Sequence, residues 1–90
     1  MKYRIVTHIS AYENQITISV PIGSEFVSAK FEAAISKFTY LEPQFPGSDR
    51  THVFEYFTVY GHNDIVSDEW KFITQFRIGN LEKFLFKSHA

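Results

Sequence analysis

Apolar and polar residues alternate in two runs near the start of the chain, residues 2–9 (KYRIVTHI) and 16–20 (ITISV). Successive side chains of a β-strand point to opposite faces, so each run predicts a strand with one apolar face. In the first run the expected core set is Tyr3, Ile5 and Ile9, with Arg4 on the opposite face. The short polar segment between the runs predicts a hairpin that joins them.

The spacing of apolar residues changes after Pro21 and Gly23, which end the second run. Ser24 is a suitable N-cap, and Glu25 would favour the positive end of a helix dipole. Apolar residues then recur at helical intervals, which predicts an amphipathic helix that ends near Tyr40. The stripe consists of Val27, Phe31, Ala34, Ile35 and Phe38. The prolines and glycine of residues 42–50 (EPQFPGSDR) predict an irregular connection after it.

Residues 51–61 (THVFEYFTVYG) form a strand pattern that carries bulky apolar groups on both faces. One orientation turns Val53, Phe57 and Val59 to the core; it also turns Glu55 inward, where a carboxylate needs a partner or a place at the rim. That orientation leaves a second set outside: Phe54, Tyr56, Thr58 and Tyr60. The reverse orientation exposes Glu55 instead. A surplus apolar face remains in both cases.

Residues 69–78 (EWKFITQFRI) fit two elements. As a strand they place Trp70, Phe72, Phe76 and Ile78 on one face, and their β-prone composition favours this interpretation. As a helix they would have Ser67 as N-cap and Gly79 as the stop. The tail, residues 80–90, then fits a short helix with Leu81, Phe84 and Leu85 inward, although Gly79-Asn80 also suits a tight hairpin turn.

Together these elements predict one α+β domain over residues 1–90, in the order ββαββα. Its four-stranded antiparallel sheet would carry both helices on one face and leave the other face open, as antiparallel sheets commonly do. In the alternative fold, residues 68–78 are helical and the C-terminal tail is a strand.

Composition narrows the class of protein. The 90 residues include no cysteine and carry a net charge of −1, so disulfides and strong overall attraction to nucleic acid or anionic membranes are not expected. No secretory signal and no membrane-spanning run is present in the sequence. These features predict a small soluble intracellular protein, placed in the cytoplasm, with no membrane partner.

Known chemical motifs give no support for an enzyme, a cofactor or a metal site. There is no nucleophile elbow, no phosphate-binding glycine loop and no pair of histidines at helical zinc spacing. His62 and Asp64 could serve a hydrolase only with a cleft that sequence does not show. We therefore expect no enzymatic activity, no cofactor and no bound metal.

The second face of the sheet is the one positive functional signal. Its expected partner-binding residues combine aromatic rings with basic side chains, a composition found at interaction surfaces. They are Arg4, Phe54, Tyr56, Tyr60, Lys71 and Arg77. The leading hypothesis is a non-enzymatic protein-binding module, an inhibitor or adaptor like small viral and mobile-element proteins, which covers an acidic or mixed surface of its partner.

Two other functions use the same face. Exposed aromatic rings with nearby Lys and Arg could bind single-stranded nucleic acid by stacking and phosphate contacts. Alternatively, two copies could pack sheet to sheet as a self-associating structural subunit, since most soluble oligomers are symmetric homo-oligomers.

Overall fold

The computed structural model describes residues 2–44 and 51–88, which form seven β-strands and no helix. The bounds of the strands are β1 (Tyr3–Ala11), β2 (Gln15–Pro21), β3 (Glu25–Glu32), β4 (Ile35–Pro43), β5 (His52–Tyr60), β6 (Trp70–Ile78) and β7 (Leu81–Ser88). The predicted α+β class is therefore wrong, because the chain is all-β over the described residues. Among these residues there is accordingly no helix that could span a membrane.

The strands form two antiparallel sheets that pack face to face. One sheet has three strands in the order β1-β4-β3, and the other has four in the order β2-β5-β7-β6. Three connections stay within a sheet: the turns β3–β4 and β6–β7, and the longer segment β5–β6. The chain passes from one sheet to the other after β1, β2 and β4. This arrangement is a β-sandwich, with one interior layer of side chains between two outer faces.

The helix predicted from Ser24 to Tyr40 is instead the β3–β4 hairpin. Ser36, Phe38 and Tyr40 alternate into the interior, and this period of two competes with the helical spacing in the same stretch. The hairpin turn is Ala33-Ala34, with Ala33 at φ 53°. Alanine favours helices and is uncommon at positive φ, so the sequence contained no turn signal here.

The predicted hairpin between the first two strands is also wrong. Tyr12 donates its backbone N–H to Ala34 in the three-stranded sheet, whereas the carbonyl of Asn14 accepts from Val59 in the four-stranded sheet. The short segment between β1 and β2 therefore passes from one layer to the other. Part of the irregular connection predicted for residues 42–50, including Pro46 and Gly47, lies outside the described residues.

The C-terminal part of the chain is a hairpin of two strands, β6 and β7. The strand interpretation of residues 69–78 is confirmed, while the tail helix and the alternative helix over 68–78 are both wrong. Gly79-Asn80 forms the turn, and only Gly79 has a positive φ, 60°, as in a type II′ turn. Strand β7 lies inside the sheet, between β5 and β6.

The interior layer consists mainly of aromatic and β-branched side chains from both sheets. Phe38 of β4 packs against Phe57 of β5, with ring centroids 4.6 Å apart. Near the other end of the layer, Phe31 of β3 stacks on Phe76 of β6 at 3.8 Å. The remaining buried residues of the core are Ile16, Ile18, Val20, Tyr40, Val59 and Leu85.

One chain of polar contacts enters this layer at its rim. The buried Tyr40 hydroxyl donates to Glu55 at 3.2 Å, and the same carboxylate oxygen is 3.2 Å from the ammonium group of Lys87. Glu55 therefore does point inward, half-buried and paired on both sides. Burial raises the pKa of Tyr40 well above its ordinary value, followed in effect by the charge and hydrogen bond of Glu55 and the charge of Glu42.

Replacing Ala33 by glycine should stabilise the fold. A left-handed backbone costs an L-residue roughly 1 kcal/mol, and glycine removes this cost. We expect Ala33→Gly to raise the free energy of unfolding by about 0.5–1 kcal/mol in urea titrations. The neighbouring Ala34→Gly, where no positive φ is required, should give no gain; equal effects at both positions would contradict the turn.

Stability should fall at alkaline pH because of Tyr40. An unfolded tyrosine ionises near pH 10, whereas the folded protein keeps this hydroxyl protonated to higher pH. The contribution is therefore complete below pH 10, and above it the free energy of unfolding should decrease by up to about 1.4 kcal/mol per pH unit. Urea unfolding of the wild type and Tyr40→Phe from pH 8 to 11 isolates this effect. The variant should lack this component of the decrease, and parallel curves would argue against it.

Candidate functional site

The outer face of the four-stranded sheet carries an extended aromatic surface. Directly opposed residues of antiparallel strands share a face. Ile16 is paired with Phe57, and both are buried, so the neighbouring pair Thr17 and Tyr56 lies on the outer side. The same parity applied across β7 and β6 defines the aromatic face: Phe54, Tyr56, Tyr60, Trp70, Phe72, Phe84 and Phe86.

Four of these rings are linked by edge-to-face contacts, and three of the seven are exposed, with Phe72 in both groups. Phe86 lies in the middle, in edge-to-face contact with Tyr60 at 5.3 Å and with Phe72 at 5.6 Å. Exposed fractions of 61% for Phe54, 49% for Tyr56 and 51% for Phe72 show that no other described element covers these rings. The other four rings of the face, Tyr60, Trp70, Phe84 and Phe86, are half-buried.

A β-bulge divides the apolar residues of β6 between the two faces of the sheet. The register between β6 and β7 shifts between Phe72 and Thr74, so that Ile73 is the extra residue. Phe72 is paired with Phe86 on the outer face, whereas Ile73 packs against the core cluster. Because Ile73 and Thr74 both lie on the inner side, the alternation of β6 is reversed after the bulge. Trp70 and Phe72 therefore face outward, whereas Phe76 and Ile78 lie on the inner side.

A shallow groove of about 350 Å³ opens on the aromatic face. Tyr56 and Trp70 contribute aromatic walls, and hydroxyl, amide and carboxylate groups lie between and beside them. The polar lining residues are Gln15, Thr17, Thr58, Glu69 and Ser88. Apolar walls with a few hydrogen-bonding groups are the usual composition of a binding site.

Charge is confined to the ends of the face. Where β6 turns into β7, Arg77 approaches Glu82 at 3.3 Å, and His62 lies 3.8 Å from the same carboxylate group. Gln75 also donates to Glu82. Glu69 borders the groove at the opposite end of β6. Between these ends, the outward positions of the four strands hold no charged residue, so the middle of the face is close to neutral.

The residues predicted to bind a partner fall into two groups. Phe54, Tyr56 and Tyr60 lie together on the aromatic face, in the first of the two orientations considered for this strand. Arg77 lies at the end of that face. The other two lie elsewhere. Lys71 is opposite Lys87 in the strand register, on the inner side of β6. Arg4 is opposite Glu42 in the register, on the inner side of the three-stranded sheet.

Sequence patterns assigned three other aromatic residues of this face to the core. Trp70 and Phe72 were expected inside with Phe76, and Phe84 inside on a tail helix. In β7 the buried residue is Leu85, which lies between lysines at every second position, while Phe84 and Phe86 face outward. Periodicity alone favours an inward position for the phenylalanines and an outward one for Leu85. Only the pairing of β7 with β5 shows that Phe84 and Phe86 belong to the aromatic face.

The expected core set of the first strand is also corrected. Tyr3, Ile5 and Ile9 lie on the outer face of the three-stranded sheet, and Val6 and His8 point inward with Phe38 and Tyr40. Glu42 accepts a hydrogen bond from His8 at 2.8 Å, which places this histidine at the rim of the interior. The molecule therefore has apolar residues on both outer faces.

His62 and Asp64, the pair considered for a hydrolase, make separate contacts. The carboxylate of Asp64 accepts from the backbone N–H of Gly61 at 2.7 Å, while His62 lies edge-on to Phe84 at 5.0 Å. These contacts use the two residues to stabilise a loop. Among the described residues, no group of three or more potential ligands could hold a metal ion.

No family model, no curated protein and no solved structure matches this chain.

Exposed and buried rings on the same strand should differ strongly in their effect on stability. We expect Phe54→Ala to lower the free energy of unfolding by less than about 1 kcal/mol, since its ring is largely exposed. Phe57→Ala should cost about 3–5 kcal/mol because it leaves a cavity in the core. Urea denaturation measures both, and similar losses would mean that the aromatic face is covered.

Proposed function

We propose that this protein is a non-enzymatic protein-binding module that docks a partner protein through the aromatic face. The observation that carries the proposal is the set of rings on one sheet face, three of them about half exposed or more. Contiguous exposed apolar surface of this kind is unusual on a protein that acts alone. A module of this type acts by covering a surface, as an inhibitor or adaptor does.

The size of the face suits a protein partner. Four strands about 4.8 Å apart and roughly eight residues long give a flat area of about 500 Å². The accessible surface of the projecting side chains is larger, which brings it toward the roughly 800 Å² that each partner buries in a standard interface. Tyr56 and Trp70, beside the groove, are of the residue types that dominate binding energy.

The charge distribution indicates what kind of surface the partner presents. An acidic or mixed partner was expected because Arg4 and Lys71 were placed beside the aromatic rings. The register puts both on inner sides of the sheets, and Arg77 is paired with Glu82. We therefore propose a largely uncharged partner surface, with an apolar side chain that fits the groove and polar groups that reach Thr17 or Thr58.

Single-stranded nucleic acid fits the same surface less well. Stacking rings are present, but a nucleic-acid groove also needs cations that follow the phosphates. Arg77, the one basic residue predicted for binding that reaches this face, is held by a carboxylate. We propose a cytoplasmic location for the module, with which the absence of cysteine from the sequence is compatible.

Site-specific photo-crosslinking in the cells that produce the protein tests the proposal. A photoreactive amino acid at Phe72 should capture a discrete protein partner. The same group at Lys30, exposed on the outer face of the other sheet, should not. With the captured partner purified, Tyr56→Ala should weaken binding by about 2 kcal/mol, roughly thirtyfold in Kd.

The matched control for affinity is Lys30→Ala, which should leave Kd unchanged. Two results would contradict the proposal: adducts that are the same from Phe72 and Lys30, or unchanged affinity when Tyr56 and Phe72 are both replaced by alanine in a folded variant. Capture of nucleic acid at Phe72, with binding that weakens steeply as salt rises, would assign the face to the other class of ligand.

A further inference from the structure

The four edge strands of the two sheets differ in how they are protected. Edge strands present unpaired backbone groups, and proteins usually block them with bulges, proline or short length. A bulge interrupts β3 between Phe26 and Ser28, another interrupts β6, and β2 has seven residues and ends in Pro21. Strand β1 has none of these features: its nine residues pair with β4 in one unbroken register.

The unpaired edge of β1 presents a regular series of backbone donors and acceptors. Lys2 accepts from Gln44, and Tyr12 donates to Ala34, so the even-numbered residues of β1 exchange hydrogen bonds with β4. The N–H and C=O groups of the odd-numbered residues therefore point away from β4. Over the described residues no strand pairs with them. The odd-numbered residues are Tyr3, Ile5, Thr7, Ile9 and Ala11.

The side chains of these same residues leave the edge unguarded. Ile5 is 72% exposed and Ile9 is 64% exposed, on the outer face of the sheet. The charged residue within the strand, Arg4, has the opposite parity and projects toward the inner side. An exposed, apolar and regular edge of this kind is a template for the addition of another strand.

We propose that a second copy of this chain pairs with β1, antiparallel and with Thr7 opposite Thr7 of the other copy. Only pairings that match odd with odd residues satisfy the free backbone groups, and this register gives the longest overlap. Ile5 then lies opposite Ile9 and Tyr3 opposite Ala11, in about ten backbone hydrogen bonds. The two three-stranded sheets become one continuous six-stranded sheet about a two-fold axis.

The same register avoids electrostatic conflict. On the inner side, Arg4 would face Ser10 of the second copy, and Val6 would face His8, so no like charges are opposed. The opposed pairs on the outer side are apolar, or in the case of Thr7 both hydroxylated. Self-complementarity of this kind is what an interface with two-fold symmetry requires.

This interface is separate from the aromatic face, which belongs to the other sheet. The dimer would thus present two aromatic faces, and each could engage a partner independently. Failure of the partner-binding proposal leaves the pairing of β1 intact, and the reverse is also true.

A single introduced cysteine tests the register, since the natural sequence contains none. Thr7→Cys should form a disulfide-linked dimer under mild oxidation, because Cα atoms of an opposed pair lie about 5.5 Å apart. The control is Thr39→Cys on β4, whose side chain touches Thr7 within the chain. Two such positions would be about 14 Å apart across three strand spacings, beyond disulfide reach.

Charge substitution at the exposed isoleucines tests the same pairing without a covalent bond. In a variant with both Ile5→Lys and Ile9→Lys, each lysine faces a lysine, so sedimentation equilibrium should show a monomer. A variant with Ile5→Glu and Ile9→Lys places opposite charges across the axis and should restore the dimer. Thr7→Pro removes a donor on the free edge only, and should weaken dimerisation about thirtyfold.

A wild-type dimer in the micromolar range, with cross-linking at Thr7 but not at Thr39, is the expected result. A wild-type monomer up to about 100 µM would overturn the proposal. So would equal cross-linking from Thr7→Cys and Thr39→Cys, or a dimer in which the double-lysine and Glu/Lys variants are equally stable. Circular dichroism of each variant confirms that loss of the dimer is not loss of the fold.

Discussion

The contact between Phe38 and Phe57 determines which side of each sheet is inside. With Tyr40, which follows on the same face of β4, these residues are almost completely buried. Once they are packed, the alternation of β-strands assigns every other side chain to the interior layer or to an outer face. A two-layer sandwich of this size has one interior layer, and the chain carries more aromatic rings than that layer encloses. The aromatic face is the direct consequence.

The polar contacts at the rim reinforce this choice of faces. Glu55 occupies an inward position in β5, and it is tolerated there because Tyr40 and Lys87 both contact it. Turning β5 over would expose Phe57 and leave the tyrosine hydroxyl without its acceptor, at the cost of an unsatisfied buried group. The orientation that displays Tyr56 therefore follows from the environment of Tyr40, on a different sheet.

Sequence patterns located four of the seven described strands and predicted helices where the other three lie, for identifiable reasons. Strand β5 could be recognised because its residues are β-prone throughout, and its outward set was one of two orientations considered. The β3–β4 hairpin was missed because two alanines form its turn. In β1 and β7 the more apolar alternate set faces outward, so the usual rule that apolar residues point inward gives the wrong side. Those assignments depend on pairing between distant strands, which a single sequence does not contain.

The solvent accessibility of individual rings in the dilute protein tests the assignment of inner and outer faces most directly. Paramagnetic relaxation by an inert soluble probe, measured by NMR on the ring protons, distinguishes exposed from enclosed rings. We predict strong relaxation for Phe54, Tyr56 and Phe72, and little for Phe38, Tyr40 and Phe57. Equal protection of both sets would contradict the assignment of inner and outer faces on which the proposed binding surface depends.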